Sequence, residues 1–146
     1  MAVRTVTEED FGKLIELYKE FFPTHNRFSQ NEDIIKAYLH KELLEQDDFL
    51  ITEGAALIVI ITKCNDTHSR AKFRHFAWKN EEAATELLQE AESRVRKSAE
   101  TVKIELTLSE SEEIEFYKKN GYVVEGELKD HYRAGEVCFI LGKSFL

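Results

Sequence analysis

The stretch from Thr101 to Tyr122, TVKIELTLSESEEIEFYKKNGY, leaves this chain the least freedom. Val102, Ile104, Leu106 and Leu108 alternate with Thr101, Lys103, Glu105 and Thr107. That period of two lays one face of a strand on a core and keeps the other polar. Ser109 to Glu112 fits the Ser-x-x-Glu capping box and predicts a helix opening there. Asn120-Gly121 predicts its end, because glycine adopts the left-handed conformation that closes a last helical turn. A strand with Glu105 on its polar face is therefore followed by a short helix carrying Tyr117.

Around this stretch the 146 residues suffice for one domain, taken as residues 1–146, with a single hydrophobic core. Apolar residues at 42% and charged ones at 33% exclude a disordered chain. A net charge of −8 excludes nucleic acid as the expected partner, since phosphates would meet a surface of their own sign. Arg94 to Lys97 is the densest basic run, and it reads as a solvated helix face. The longest apolar run, Ala55 to Ile61, is too short to span a bilayer, and the first residues show no leader core. The expectation is a cytoplasmic protein with no membrane partner. Cys64 and Cys138 read as small buried apolar side chains rather than a disulfide. The five histidines have no metal-ligand spacing, so no metal is expected.

Taken in order, Val3 to Val6 predicts a strand. Thr7 to Asp10 caps a helix with Phe11, Leu14, Ile15, Tyr18, Phe21 and Phe22 at helical spacing, which Pro23 ends. The aromatic run from Tyr18 to Phe28 reads first as core and second as the lining of a cleft. Asn31 caps a second helix with Ile35, Tyr38, Leu39 and Leu43 on one side. Phe49 to Thr52 and Ala55 to Lys63 read as strands around a Glu53-Gly54 turn, the second apolar on both faces. A polar loop from Asn65 to Arg70 precedes a strand from Lys72 to Trp78. Asn80 caps a long helix with Ala84, Leu87, Leu88, Ala91 and Val95 inward. Tyr122 to Leu128 and Glu136 to Phe145 complete the strands. The order β-α-α-β-β-β-α-β-α-β-β predicts an α/β fold with one mixed sheet of six or seven strands and four helices on both faces.

That order, with Glu115-Phe116-Tyr117-Lys118-Lys119-Asn120-Gly121-Tyr122, resembles the GNAT superfamily of acyl-CoA-dependent N-acetyltransferases. Within it, Ile104-Glu105-Leu106 and the tail from His131-Tyr132 to Leu141 look most like the protein N-terminal acetyltransferases, including those acting on ribosomal-protein alanine termini. The resemblance implies acetyl-CoA as co-substrate and an amine acceptor, either a peptide N-terminus or a small cationic amine. It implies Glu105 as general base, Tyr117 as general acid, and His131 and Tyr132 as the pair that holds the incoming amine. It also implies that Phe76, Ala77, Trp78, Lys79, Ala83 and Ala84 meet the cofactor, with backbone N–H groups of Phe76 to Trp78 polarising the thioester oxygen.

Family members carry Arg/Gln-x-x-Gly-x-Gly/Ala at the join after the central strand, where backbone N–H groups close on the CoA pyrophosphate. Here the join is Ala77-Trp78-Lys79-Asn80-Glu81-Glu82-Ala83-Ala84, with no glycine and two carboxylates in the first helical turn. Trp78 replaces the usual Val, and Glu110 replaces the Asn seven residues before the tyrosine. An alternative reading follows: a catalytically inactive GNAT-like binding or assembly module whose exposed aromatics Phe28, Trp78 and Tyr132 meet a partner. The edge strand near the C-terminus leaves both monomer and homodimer open.

Overall fold

The computed structural model describes residues 2–99, 101–109 and 112–146. It contains β1 (Arg4–Thr5), a 3-10 turn (Glu8–Asp10), α1 (Phe11–Phe21), α2 (Glu32–Glu45), β2 (Asp48–Thr52), β3 (Ala55–Asn65) and β4 (His68–Trp78). Then come α3 (Glu81–Ala99), β5 (Thr101–Leu108), α4 (Ile114–Lys119), β6 (Val123–Lys129) and β7 (Val137–Ser144). The strands form one mixed sheet in the order β1-β2-β3-β4-β5-β7-β6. β4 and β5 are parallel, as they must be when a helix, α3, supplies the crossover. Contacts group the chain into two compact bodies: residues up to Ile60 with His75–Ser93, and Ile61–Arg74 with Arg94–Leu146.

The first body is built on α1, α2, β1, β2 and the adjoining ends of β3 and β4. Leu14, Tyr18, Ile35, Leu39, Leu50 and Ile58 are fully buried, and each such side chain contributes about 1.5–3 kcal/mol. Residues 55–59 of β3 are buried on both faces, as the continuous apolar run requires. Asn31 caps α2 by accepting the Ile34 N–H at 3.0 Å. The first turn is tied by Asp10, whose carboxylate accepts the Thr7 N–H at 2.8 Å and a two-pronged pair of bonds from Arg4 at 2.7 and 2.8 Å. Those bonds hold the Asp10 pKa down at about 2. Phe28 corrects an expectation: it is 1% exposed and stacks on Tyr18 at 4.6 Å, so it is core and offers nothing to a partner.

In the second body, α4 closes on a Schellman motif. Tyr122 N–H donates to Tyr117 O at 3.0 Å, and Gly121 N–H to Lys118 O at 3.1 Å, with Gly121 at φ 91°. The Tyr117 and Tyr122 rings pack at 5.7 Å, the apolar contact that accompanies this closure. The start of α4 departs from expectation. The helix begins at Ile114 with Glu113 before it and no side-chain cap, while Glu110 and Ser111 of the proposed capping box lie outside the described residues. The expected loop from Asn65 to Arg70 is also strand: β3 and β4 meet at a turn where Asn65 Oδ1 accepts the Thr67 N–H at 2.9 Å. Ser69, Ala71 and Phe73 are buried while Arg70 and Lys72 are exposed, so a half-buried strand hid behind its polar face. Cys138 is buried and Cys64 exposed, both as free thiols.

Candidate active site

β5 presents Lys103, Glu105 and Thr107 on one face and buries Ile104 and Leu106 on the other. Among the described residues its parallel ladder with β4 ends at Lys72↔Glu105, although β4 runs on to Trp78 and β5 to Leu108. Glu105 is thus the last paired residue of that ladder. Its carboxylate lies 3.7 Å from Arg70 and 3.8 Å from Lys103. Lys103 in turn donates to Glu125 at 2.6 Å. Glu125 sits at an irregularity between Val124 and Gly126 and crosses β7 over Gly142. A Cβ on Gly142 would come 2.6 Å from the Glu125 carboxyl, so glycine is what lets the carboxylate reach across. The pairing to Glu125 raises the Lys103 pKa and keeps the ammonium charged.

The loop after β6 brings Tyr132 to the same strand face. Asp130, at φ 55°, accepts the Gly135 N–H at 2.6 Å, and Arg133 grips Glu136 at 2.7–2.9 Å. This braced loop leaves His131 exposed and Tyr132 half-exposed, their rings 4.7 Å apart. Burial raises the Tyr132 pKa, against a hydrogen bond to Thr107 and the charge of Arg74. Glu105 and Tyr132 therefore share one face of β5, since Thr107 is two residues from Glu105. Tyr117 differs. It is 1% exposed, packed between Phe116 and Tyr122, and burial followed by the charge of Glu113 keeps its hydroxyl protonated far into alkaline pH.

The residues assigned to the cofactor lie in the first body. Phe76, Ala77, Ala83 and Ala84 are buried, while Trp78 is half-buried with its ring against Phe21 at 4.7 Å and Phe76 at 4.9 Å. Lys79 is exposed, and its N–H donates to Gly54 O at 2.7 Å. Asn80 Oδ1 accepts the Ala83 N–H at 2.8 Å, and Glu81 and Glu82 occupy the first turn of α3.

One arrangement was only partly legible in the sequence. His75 has φ 51°, a left-handed conformation inside a strand. Before it the odd-numbered residues of β4 are buried; after it Phe76 and Ala77 are. His75 Nε2 lies 2.6 Å from the Tyr38 hydroxyl, and the rings of Tyr18, Phe22, His25 and Phe28 stand 5.0–6.4 Å from the imidazole. The aromatic run at the end of α1 is thus core that also surrounds a histidine.

No protein-family model matches this sequence, and no curated protein matches it. Solved structures do. Aminoglycoside 6'-acetyltransferase type Ii superposes at TM-score 0.75 with 14% identity, over 100% of this chain and 98% of its own. A spermidine N-acetyltransferase, a SpeG chimera from Vibrio cholerae and hSSAT, gives 0.76 and 16%, over 98% and 94%. Arabidopsis thaliana Naa50, solved with the bisubstrate analogue CoA-Ac-MVNAL, gives 0.73 and 17%, over 99% and 98%. The fold is that of the GNAT N-acetyltransferases.

On a GNAT fold the join after β4 is where the resemblance puts the CoA pyrophosphate. Here two of the backbone N–H groups around that join already have partners within the chain, in Gly54 and Asn80. The Glu81 and Glu82 carboxylates complement the helix dipole, each by about 0.3–1 kcal/mol, and oppose a second anion there. The join does not fit a pyrophosphate in the manner of the glycine-rich loop. Among the described residues no group of His, Cys, Asp and Glu could hold a metal, and no helix is long and apolar enough to cross a membrane.

Proposed function

We propose that the protein is an N-acetyltransferase that moves the acetyl group of acetyl-CoA directly to a primary amine, a peptide N-terminus or a small cationic amine. The observation that carries this reading is the likeness, along the whole chain, to GNAT acetyltransferases, one of them solved with coenzyme A. Direct transfer needs a base for the ammonium, donors for the thioester oxygen and an acid for the leaving thiolate. Glu105 is the first candidate base, on the strand face it shares with Tyr132. The N–H groups of Phe76 to Trp78 serve the oxygen. Tyr117, held protonated by burial, is the acid. His131 and Tyr132 hold the acceptor. The same reading makes the protein a cytoplasmic monomer or homodimer with no nucleic-acid partner.

Near-millimolar acetyl-CoA should raise the melting temperature; a ligand at a hundred times its Kd adds about 2.7 kcal/mol. Turnover is to be assayed with spermidine and with a peptide bearing a free N-terminus. Tyr117→Phe should lower kcat without unfolding the protein. No melting shift and no binding heat with acetyl-CoA would sink the enzyme reading.

A second reading, an inactive GNAT-fold binding module, is favoured by the join after β4, where Lys79 and Ala83 N–H groups are used internally beside two carboxylates. Steady acetyl transfer to any amine rejects it.

A further inference from the structure

His75 is the one strand residue of the described chain, glycines aside, whose backbone is left-handed. Such a residue costs about 1–3 kcal/mol and persists where its surroundings fix it, commonly at a working site. What fixes His75 is a short bond to a phenol inside a ring of aromatics. We infer that the Tyr38–His75 pair, and not Glu105, takes the proton from the acceptor ammonium in the acetyl transfer proposed above. The inference rests on that reading of the function and replaces Glu105, its first candidate base, with this pair.

Both members of the pair are half-buried, so neither is sealed in the core. The ammonium gives a proton to Tyr38 Oη as the phenol's own proton passes to His75 Nε2, 2.6 Å away. The amine lone pair is then available for attack, the phenol is regenerated, and the positive charge that arrived on the ammonium resides on the imidazole. The surroundings suit that charge. Tyr18, Phe28 and Tyr38 lie with ring centroids 5.0–6.0 Å from His75, within the range of about 6 Å over which aromatic rings attract cations. Glu42, buried at 4% exposure, lies one turn along α2 from Tyr38. The buried Tyr18 hydroxyl has no hydrogen-bond partner among the described residues, and its environment includes both Tyr38 and Glu42. Further charged or titratable neighbours include Arg27, 4.2 Å over the Tyr38 ring, and His25, 5.3 Å from His75. Glu105, in contrast, is already engaged with Arg70 and Lys103.

The test is the pH dependence of kcat/KM with acetyl-CoA and either spermidine or a peptide with a free N-terminus. The variants are Tyr38→Phe, His75→Asn and Glu105→Gln. Asparagine is chosen because it tolerates the left-handed backbone of His75. The expected result is a fall of about 10²-fold for both Tyr38→Phe and His75→Asn, the scale of lost general-base catalysis. The melting shift with acetyl-CoA should persist in both. The acid limb of the wild-type profile should vanish in His75→Asn, move in Tyr38→Phe, and survive in Glu105→Gln. A limb that persists in His75→Asn, or disappears only in Glu105→Gln, overturns the inference while leaving the transferase reading intact. A fall in rate with the limb unmoved also overturns it, since packing alone accounts for that. An absence of turnover with both acceptors, together with no acetyl-CoA shift, removes the transferase reading and this inference with it.

Discussion

The two bodies hold their polar groups in opposite ways. In the first, Tyr18, Tyr38, Glu42 and His75 are set among aromatic and aliphatic side chains, and the Tyr38 hydroxyl meets His75 Nε2 at 2.6 Å. In the second, Arg70, Lys103, Glu105 and Glu125 form a half-exposed lattice of opposite charges on β4, β5 and β6, with Glu125 reaching across β7. A polar group in an apolar setting interacts strongly with whatever it meets, so one bond can fix a rare backbone conformation. A charge in a solvated lattice is shared and screened, so no one pair matters much. The contrast explains why Glu105 looks catalytic on a helical and strand map yet His75 has the more demanding surroundings.

The largest test of that contrast is Phe28→Ala. Removing a ring with 1% exposure that stacks on Tyr18 should cost about 3–5 kcal/mol in denaturant unfolding. A loss below about 1 kcal/mol would mean the aromatic cluster is not what braces the first body. Next comes Gly121→Ala in the second body. At φ 91° the new Cβ should cost about 1–2 kcal/mol, and it would stand 3.3 Å from Lys143 Cε. If the change is neutral, the Schellman closure of α4 is softer than its two bonds suggest.

Asp10→Asn sharpens the comparison, because Asp10 is a buried ion-paired carboxylate within the first body. The folded carboxylate titrates at about 2, below its ordinary 3.8, so its contribution is complete above the unfolded value and fades as pH falls through about 2. The variant should melt a few degrees lower at pH 6 and match the wild type near pH 2. A deficit that is the same at both pH values would show that the Arg4 pairing is not its source. Lys103→Met should have the smallest effect, under about 1 kcal/mol and smaller still in molar salt. A cost above about 3 kcal/mol would make the lattice a buried ion pair in disguise, and the contrast between the bodies would break.

Much of the framework could be read from the chain. Asn31 and Asn80 cap helices because a short side-chain amide oxygen reaches a first-turn N–H, a contact that lies within three residues. Asn120-Gly121 ends α4 for an equally local reason. The readings that failed involved partners far away in sequence. Asn65 to Arg70 looked like a loop because its polar side chains outnumber its buried ones, and only pairing in the sheet makes it strand. The alternative reading of Phe28 as an exposed contact fails because Tyr18 stacks on it, which leaves the first reading, core. Ser109 looked like a cap, but α4 starts later. The left-handed turn of the backbone at His75 has no sequence signal, since histidine adopts it only when something distant makes it stay.

By itself the sequence determined the order of elements, the polar face of β5 with Glu105 on it, and the glycine-free join of Asn80, Glu81 and Glu82. Each follows from period, local capping or the charge of neighbouring residues. Only the tertiary structure decided that Glu105 lies between two cations and that Tyr117 is buried. It alone joined Tyr38 to His75 across thirty-seven positions of chain. Burial and electrostatic company come from side chains brought together by the sheet, and no window of sequence contains them.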